Sequence, residues 1–394
     1  VKRSYKFRLR PTAGQHRRLE GCLRSHRQLY NSALAERKGA WEAQHGSVSY
    51  YEQSGRLKFS RAEHPEMATW SFSSQQATLR RLNRAFAAFF GRVKAGEEPG
   101  YPRFKAAHRF DSVEWPKDGD GCRWEPDLGR VYLQGIGDVK LTLHRRAEGL
   151  VKTVSAKREG RRWYLVLSCD DVPAKPLGPT GRAVGVDVGI ASFATTSDGE
   201  HVPNPRWARQ AAEGLERAQH VLGRKKRGSA NRRAARQTLA GRHRKVARQR
   251  RDFHHKLAKD LVSGYDVVAV EDLQVKNMAR RPKPVPDPDN PGAYLPNGAA
   301  AKSGLNRSIC DAGWGAFVSV LRAKAEEAGR TVIGVDPRRT SVRCEACGYA
   351  SRENRANQAV FSCKHCGHTC HADEHAARNI LRAGLALLAA DEAA

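Results

Sequence analysis

Four cysteines near residue 350 have the type and spacing of a metal site. Cys344 and Cys347 form one C-x-x-C pair, and Cys363 and Cys366 form a second pair after fifteen intervening residues. Each pair turns two thiolates toward one point, and two pairs complete the tetrahedral four-sulfur shell of structural zinc. A glycine follows each pair directly, as a tight turn favours. We therefore predict one structural Zn²⁺ with no open position for catalysis.

Other possible ligands lie close to these four cysteines, but none has the same spacing. They are Cys370, His365, His368 and His371. The other four of the nine cysteines are scattered along the chain, as reduced core thiols are. The pattern favours a metal site over a disulfide framework.

Three carboxylates that are distant in sequence form a second candidate site. Asp187 and Glu271 each end an apolar run typical of a buried strand, and Asp373 opens a predicted helix. Converging carboxylates repel one another unless cations lie between them, and hard oxygen ligands suit Mg²⁺. Two such ions activate water and stabilise both oxygens of an in-line phosphodiester displacement. The sequence therefore predicts a catalytic site for two magnesium ions.

The same residues also have ordinary structural explanations. Asp187 fits a turn residue at the end of a core strand, and an acidic residue at a helix start, such as Asp373, is favoured by the helix dipole. Three further carboxylates compete for the site, and spacing alone does not exclude them: Asp272, Asp336 and Glu374.

Alternating strands and helices must position these carboxylates in the second half of the chain. The predicted elements are a strand at 182–190, a hairpin partner at 192–196 after which a turn follows, strands at 265–272 and 331–336, a helix from about 307 to 328, and a helix from about 373. Residues 281–304 are rich in Pro, Gly, Asn and Ala and predict a loop without periodicity.

A strongly basic segment lies between the first two carboxylates. Residues 206–256 contain 17 Lys and Arg against 3 Asp and Glu, with apolar positions that predict two long helices joined near Gly228. Such an excess favours contact with a phosphate backbone over a solvated helix face. The candidate nucleic-acid-binding residues are Arg224, Lys225, Lys226, Arg227, Arg232, Arg233, Arg236, Arg244, Lys245, Arg248, Arg250 and Arg251.

The first half of the chain has a different texture. Residues 2–10 alternate basic and apolar, which predicts a strand, and Thr12 followed by Gln15 predicts a helix start. A second amphipathic helix is predicted from about Ser73. After a break at 97–102, short alternating runs predict a small barrel or sandwich, which strand 2–10 completes around an inserted helical lobe.

Composition points to a polyanionic partner. The 394 residues carry 70 Lys and Arg against 41 Asp and Glu, a formal charge of +29. Nucleic acid is the leading expectation. No apolar run approaches the roughly 18 residues of a spanning helix, and no signal-peptide pattern opens the sequence. We expect no membrane partner and a cytoplasmic location in a prokaryote, in association with the nucleoid.

Ordered motifs along nearly the whole chain resemble the TnpB family of transposon-encoded RNA-guided DNA nucleases, which are relatives of the type V CRISPR effectors. Besides the cysteine segment, the matching residues are 5–12 (YKFRLRPT), 30–36 (YNSALAE), 99–105 (PGYPRFK), 185–189 (GVDVG), 270–273 (VEDL), 311–314 (DAGW) and 376–380 (AARNI). One residue departs from the family's usual pattern, since His375 stands two positions after Asp373 where Asn is usual.

This resemblance implies a multidomain α+β and α/β protein. Residues 1–10 and 96–175 would form a β-barrel wedge domain, 11–95 an inserted helical recognition lobe, and 176–394 an RNase H-like RuvC nuclease domain with a zinc ribbon at 340–370. Its catalytic positions match Asp187, Glu271 and Asp373.

The resemblance also implies the partners. A guide RNA derived from a transposon end and double-stranded target DNA bearing a short adjacent motif would assemble with the protein, and base pairing would read the sequence. A monomeric ribonucleoprotein is slightly favoured. The alternatives are a compact type V CRISPR effector, an RNA-guided binder that represses without cutting, and a transposase that performs strand transfer.

Overall fold

The computed structural model describes residues 1–393 of the chain. These residues form two compact units, Val1–Pro173 and a second unit that begins at Ala174. Each unit has its own core of buried side chains.

The first unit contains one strand, four helices and then six strands. They are β1 (Arg3–Arg10), α1 (Ala13–Gln44), α2 (Tyr50–Glu63), α3 (Pro65–Ala68), α4 (Phe72–Lys94), β2 (Ser112–Trp115), β3 (Cys122–Glu125), β4 (Arg130–Leu133), β5 (Gly137–Thr142), β6 (Leu150–Glu159) and β7 (Arg162–Asp170).

The strands of the first unit form one seven-stranded antiparallel sheet. Its order is β2-β6-β7-β1-β5-β4-β3, so β1 lies at the centre, between β7 and β5. Tyr5, Phe7 and Leu9 of β1 are buried, as the alternating sequence predicts. Helices α1–α4 lie between β1 and β2 in the chain. The helical segment is therefore an insertion after a central strand.

Three predictions for this unit need correction. The sheet is open, with β2 and β3 at its edges, and does not close into a barrel. The helical segment has four helices and not two. Helix α2 has no clear apolar pattern in the sequence, because Gln53 and Leu57 are its only buried side chains in the described residues. Strand β3 was also missed. The start of α1 is confirmed, because Thr12 and Gln15 form a reciprocal capping box.

The second unit alternates strands and helices. Its elements are β8 (Ala183–Val188), β9 (Ser192–Thr196), β10 (His201–Pro203), α5 (Trp207–Gln210), α6 (Ala212–Gly223), α7 (Ala230–Gly264), β11 (Val267–Glu271), α8 (Val275–Met278), β12 (Val285–Pro286), β13 (Tyr294–Leu295), α9 (Ala299–Ala312), α10 (Trp314–Ala328), β14 (Thr331–Val335), a 3₁₀ turn (Arg352–Asn354), β15 (Val360–Ser362), β16 (Thr369–His371) and α11 (Ala372–Glu392).

A five-stranded mixed sheet organises the second unit. Its order is β10-β9-β8-β11-β14, with β8, β11 and β14 parallel and the β8–β9–β10 meander antiparallel. Val184, Val186 and Val268 belong to the core shared with α7 and α10. The alternate residues, Ala269 among them, face α11 on the other side of the sheet. The sheet is thus covered by helices on both faces.

Glycine lets α11 lie directly on strand β8. A Cβ at Gly185 would stand 2.0 Å from the carbonyl oxygen of Ala377 and 2.6 Å from the amide nitrogen of Leu381. Such distances are far below contact range, so no larger residue fits between this strand and this helix. Close packing brings the first turn of α11 to the end of β8.

The basic segment forms a helical hairpin whose two main helices are joined at 224–229, as predicted, although α6 has only 12 residues and α7 alone is long. Helix α7 has 35 residues, which corresponds to about 52 Å of helix. All its buried side chains lie from Val246 onward. Its N-terminal half and α6 therefore make a solvated arm that extends from the core.

Two predictions for the second unit need correction. The helix expected at 307–328 is two helices, α9 and α10, because Gly313 takes the left-handed conformation at φ 70° and ends the first. The segment 281–304 is not wholly a loop, since β12 and β13 pair in it and α9 begins at Ala299. In residues 1–393, no helix has both the length and the apolar character needed to cross a membrane.

Candidate active site and metal centre

Two of the predicted carboxylates lie side by side on the sheet. Strands β8 and β11 are parallel neighbours, and Val186 pairs with Val270, so Asp187 and Glu271 are the next residues of the two strands. Both side chains are on the face that α11 covers. Asp373 is the second residue of α11. The fold thus brings the three predicted carboxylates together from two strand ends and one helix start.

Burial and mutual repulsion raise the pKa of Asp187 to about 7; desolvation is the larger cause, and the charges of Glu271 and Asp373 add to it. Burial also raises the pKa of Glu271, although the hydrogen bond from Thr340 Oγ1 to Glu271 Oε1, 2.6 Å long, opposes the rise. A shared negative charge of this kind is relieved by a bound cation. The donor set of hard oxygens therefore fits divalent magnesium.

An arginine that the sequence analysis missed balances part of this charge. Arg355 donates from Nη2 to Asp373 Oδ1 at 3.1 Å. Its positive charge opposes the rise in the pKa of both Asp187 and Glu271. Arg355 lies between the two C-x-x-C pairs, just after the 3₁₀ turn. No spacing signal could have identified it, because its position depends on how that segment folds back onto α11.

The competing carboxylates are placed differently. Asp272 and Asp336 are exposed, and Asp272 follows Glu271 and so points to the opposite side of the strand. Glu374 faces His201 and Arg378. Within residues 1–393, the oxygens of Asp187, Glu271 and Asp373 do not all lie within 4.8 Å of one another, so they do not form a cluster around a single ion.

The four predicted zinc ligands do form a compact cluster. The sulfur atoms of Cys344, Cys347, Cys363 and Cys366 all lie within 4.8 Å of one another. The Cys347–Cys363 and Cys344–Cys366 sulfur distances are 3.6 and 3.7 Å. Zinc–sulfur bonds of about 2.3 Å in a tetrahedron require about 3.8 Å between sulfurs. The four thiols therefore fit one zinc ion.

Tight turns shape this cluster, as the sequence predicts. Gly348 and Gly367 have φ of 76° and 73°. The backbone N–H groups of His365 and Cys366 point at Cys363 Sγ, at 3.4 and 3.5 Å. Two of the alternative ligands have other contacts: His368 lies 3.0 Å from Glu345, and Tyr349 stacks on the ring of His365.

A partly buried polar network connects the cysteine segment to α11. Arg378 makes two hydrogen bonds to the carboxylate of Glu345, at 2.8 and 2.9 Å. Asn379 donates to the carbonyl oxygens of Thr340 and Arg343. These bonds join the segment that carries Arg355 to the helix that carries Asp373.

His375 belongs to this network and not to the carboxylate site. Its ring is fully buried, stacks on Phe361 with 3.6 Å between centroids, and its Nε2 accepts the backbone N–H of Glu345 at 3.3 Å. Burial lowers the pKa of His375 to about 4, so the ring is neutral. The departure from the family pattern therefore lies on the side of α11 that faces the cysteine segment.

The twelve predicted basic residues of the hairpin are placed differently, and Arg244 is half-buried. Arg232 donates to the carbonyl oxygens of Leu222 and Lys225, and Arg250 pairs with Asp311 at 3.1 Å, so both hold the unit together. Asp311 also accepts the N–H of Ala208. The exposed members of the predicted set are Arg224, Lys225, Lys226, Arg227, Arg233, Arg236, Lys245, Arg248 and Arg251.

Known families match three parts of the chain. A family described as "Probable transposase" matches residues 165–281, one described as "Cas12f1-like, TNB domain" matches residues 314–380, and one described as "Helix-turn-helix domain" matches residues 1–46. The first match includes Asp187 and Glu271, and the second includes the four cysteines and Asp373.

Similar proteins cover almost the whole chain. "Putative RNA-guided DNA endonuclease InsQ" of Escherichia coli (strain K12) is 32% identical, and the match covers 99% of this chain and 94% of that protein. "Putative RNA-guided DNA endonuclease" of Streptomyces pristinaespiralis is 34% identical over 98% of this chain and 90% of its own. The protein of a cryo-EM structure of a Cas12f1–sgRNA–target DNA complex has a TM-score of 0.55 and 12% identity over 96% of this chain and 98% of its own, which is a likeness of fold.

Proposed function

Because this chain belongs to the TnpB family of RNA-guided DNA endonucleases, we propose that it cuts target DNA under the direction of a guide RNA. Relatives of 32% and 34% identity over nearly their whole length establish the family. The proposed catalytic residues are Asp187, Glu271 and Asp373. The observation that carries the assignment of these residues is the pairing of Val186 with Val270, which sets two carboxylates side by side under the start of α11.

The chain's own residues have distinct tasks in this proposal. Asp187 and Glu271 supply oxygen ligands from a rigid sheet, and Asp373 supplies one from the helix. Thr340 holds the carboxylate of Glu271 by its 2.6 Å hydrogen bond. Two Mg²⁺ ions, when bound, would activate water and stabilise the leaving oxygen of an in-line displacement. Arg355 offers a guanidinium at the same place, suited to a phosphate oxygen.

The finer domain assignment is part of the proposal. We assign the second unit to an RNase H-like RuvC nuclease domain, 176–394, with a zinc ribbon at 340–370 that holds one structural Zn²⁺. Support comes from the mixed sheet with helices on both faces and from the 3.6 and 3.7 Å sulfur distances. Residues 1–10 and 96–175 would be the wedge domain, in the form of an open sheet, and 11–95 the recognition lobe.

The partners follow from charge and family. The exposed cations of α7 and of the connection between α6 and α7 would contact the phosphate backbone of guide RNA or heteroduplex, since this arm carries a large excess of positive charge. Base pairing with the guide would select the DNA next to a short motif. The guide would derive from a transposon end, and the particle would be a monomeric ribonucleoprotein at the nucleoid of a prokaryotic cell.

A cleavage assay tests the proposal directly. The full chain with its guide RNA and Mg²⁺ is incubated with plasmids that carry the target beside randomised flanking sequence. We expect guide-dependent linearisation, and its loss by at least about 100-fold in Asp187→Ala with DNA binding retained. Asp272→Ala, which removes the exposed neighbour of Glu271, is the matched control and should cut normally.

Three results would contradict the proposal. Normal cutting by Asp187→Ala would show that the metal ligands lie elsewhere. Guide-dependent binding by the wild-type chain without any cutting would make the protein a binder, and joined DNA products would make it a strand-transfer enzyme.

A further inference from the structure

A second group of potential metal ligands lies beside α11 and has no part in the proposed nuclease site. His201, His371 and Glu374 each place one ligand atom within 4.8 Å of the others. The Nε2 of His201 lies 3.2 Å from Glu374 Oε1, and the rings of His201 and His371 meet edge to face at 4.7 Å between centroids. The three residues come from β10, the end of β16 and the first turn of α11.

The sheet sets the distance between this group and the nuclease carboxylates. Asp187 pairs with Thr195, and Thr195 pairs with His201, so the three residues form one row across β8, β9 and β10 on a single face. Two strand spacings of about 4.8 Å separate the backbones of Asp187 and His201 by roughly 10 Å. An ion at His201 would therefore be separate from ions at Asp187.

His201 is held in the orientation that a metal ligand needs. Its Nδ1 lies 3.2 Å from Thr195 Oγ1, so the hydroxyl fixes the ring and leaves Nε2 directed at Glu374. A histidine that binds a metal usually has its second nitrogen hydrogen-bonded in this way, which sets the tautomer. The Thr195 hydroxyl is buried with its residue, so this support is rigid.

His371 has a polar atom without a partner. Its Nδ1 is buried, and among residues 1–393 no hydrogen-bond partner satisfies it. An orphaned buried nitrogen is costly unless a ligand meets it. Arg378 lies 3.6 Å from Glu374 Oε2 and thereby leaves Oε1 to face the histidines.

We propose that His201, His371 and Glu374 bind one divalent transition-metal ion of the zinc class, in addition to the zinc of the four cysteines. Two imidazoles and one carboxylate are a ligand set that Zn²⁺ takes readily and that Mg²⁺ does not prefer. The His201 side chain is 34% exposed, so the fourth position is open to water or to a phosphate oxygen. The proposal stands apart from the nuclease function, since it concerns only ion binding.

Zinc stoichiometry tests the proposal. The full chain is dialysed against micromolar Zn²⁺ in millimolar Mg²⁺, which fills oxygen sites, and bound zinc is measured by mass spectrometry. We expect about two zinc ions per wild-type chain and about one in His201→Ala/His371→Ala and in Glu374→Gln. The control His220→Ala/His243→Ala removes two exposed histidines of α6 and α7 and should keep both ions.

The cysteine zinc serves as an internal measure of folding. A variant that retains about one zinc and an unchanged circular dichroism spectrum has lost only the histidine site. The proposal is overturned if the wild-type chain holds a single zinc ion, or if the His201 and Glu374 variants still hold two. Replacement of zinc by Co²⁺ gives a second readout. Co²⁺ at the four cysteines shows thiolate charge-transfer absorption, and Co²⁺ at the histidine site does not. Loss of the histidine site should therefore remove only the absorption that lacks thiolate charge transfer.

Discussion

Replacing Asp187 with Asn should stabilise the metal-free protein while it abolishes cutting. The pKa of Asp187 rises from 3.8 to about 7 because of burial and the charges of Glu271 and Asp373. Each tenfold change in the acid constant is worth about 1.4 kcal/mol, so ionised Asp187 costs about 4 kcal/mol of folding free energy above pH 7. Asn keeps the shape of the side chain and removes its charge. Burial of the amide costs part of the benefit, so we expect a net gain of about 2 to 4 kcal/mol in the free energy of unfolding.

The pH dependence of this gain follows from its sign. An aspartate with a raised pKa binds its proton more tightly in the folded state, so wild-type stability falls as pH rises from about 4 to about 7. The advantage of Asp187→Asn should be near zero at pH 4, grow through that range and level off above it. Added Mg²⁺ should raise the stability of the wild-type protein above pH 7 and leave the stability of the variant unchanged.

Urea unfolding in magnesium-free buffer measures the gain. Chelators must be avoided, because they would remove the zinc proposed for the four cysteines. Hydrogen exchange at the β8 and β11 amides restricts the readout to the second unit. Asp272→Asn, a change at an exposed carboxylate next to Glu271, is the control and should shift stability by less than about 0.5 kcal/mol. The reasoning fails if Asp187→Asn is less stable than wild type at pH 8, or if the difference does not vary with pH.

Two further predictions concern the packing around α11. Gly185→Ala should destabilise the second unit by about 3 kcal/mol or more, because its Cβ would stand 2.0 Å from the Ala377 carbonyl oxygen; Gly223→Ala, with open space around it, should be neutral in the same thermal melts, and equal melting of the two variants would refute this. His375 has a pKa lowered to about 4 by burial, so wild-type stability should fall as pH drops from about 6.5 to 4, by up to about 3 kcal/mol. His375→Asn should reduce this loss of stability at acid pH. An unchanged loss in the variant would contradict the burial of a neutral ring.

Local patterns in the sequence were sufficient for much of this structure. The C-x-x-C pairs, the Thr12 capping box and the alternation of β1 are each set by residues close together in the chain, and the structure has all three. The two strands that end in Asp187 and Glu271 were also predictable, because each is a continuous apolar run with a carboxylate at its end. Their register was not, since it depends on pairing across 84 residues.

What the sequence could not predict depends on tertiary contacts. Arg355 reaches Asp373 only after the cysteine segment has folded back onto α11, and His201 meets Glu374 only because β10 joins the sheet. Helix α2 lacks an apolar stripe, although Ser49 and Glu52 form a capping box that was an available signal. The break at Gly313 lies inside an otherwise helical run, and its left-handed φ is what ends α9.

The placement of Asp373 on α11 also has a consequence for the ribosome-bound chain. Asp373 follows Glu271, the last residue of β11, by 102 residues, and at about 5 to 20 residues per second this corresponds to roughly 5 to 20 s of synthesis. Throughout that interval β8 and β11 have emerged, yet the helix that lies against Gly185 has not. The growing polypeptide therefore cannot assemble the three carboxylates when its basic arm, α6 and α7, has already been synthesised. In the proposed function, timing during translation would separate contact between this arm and nucleic acid from completion of the three-carboxylate site.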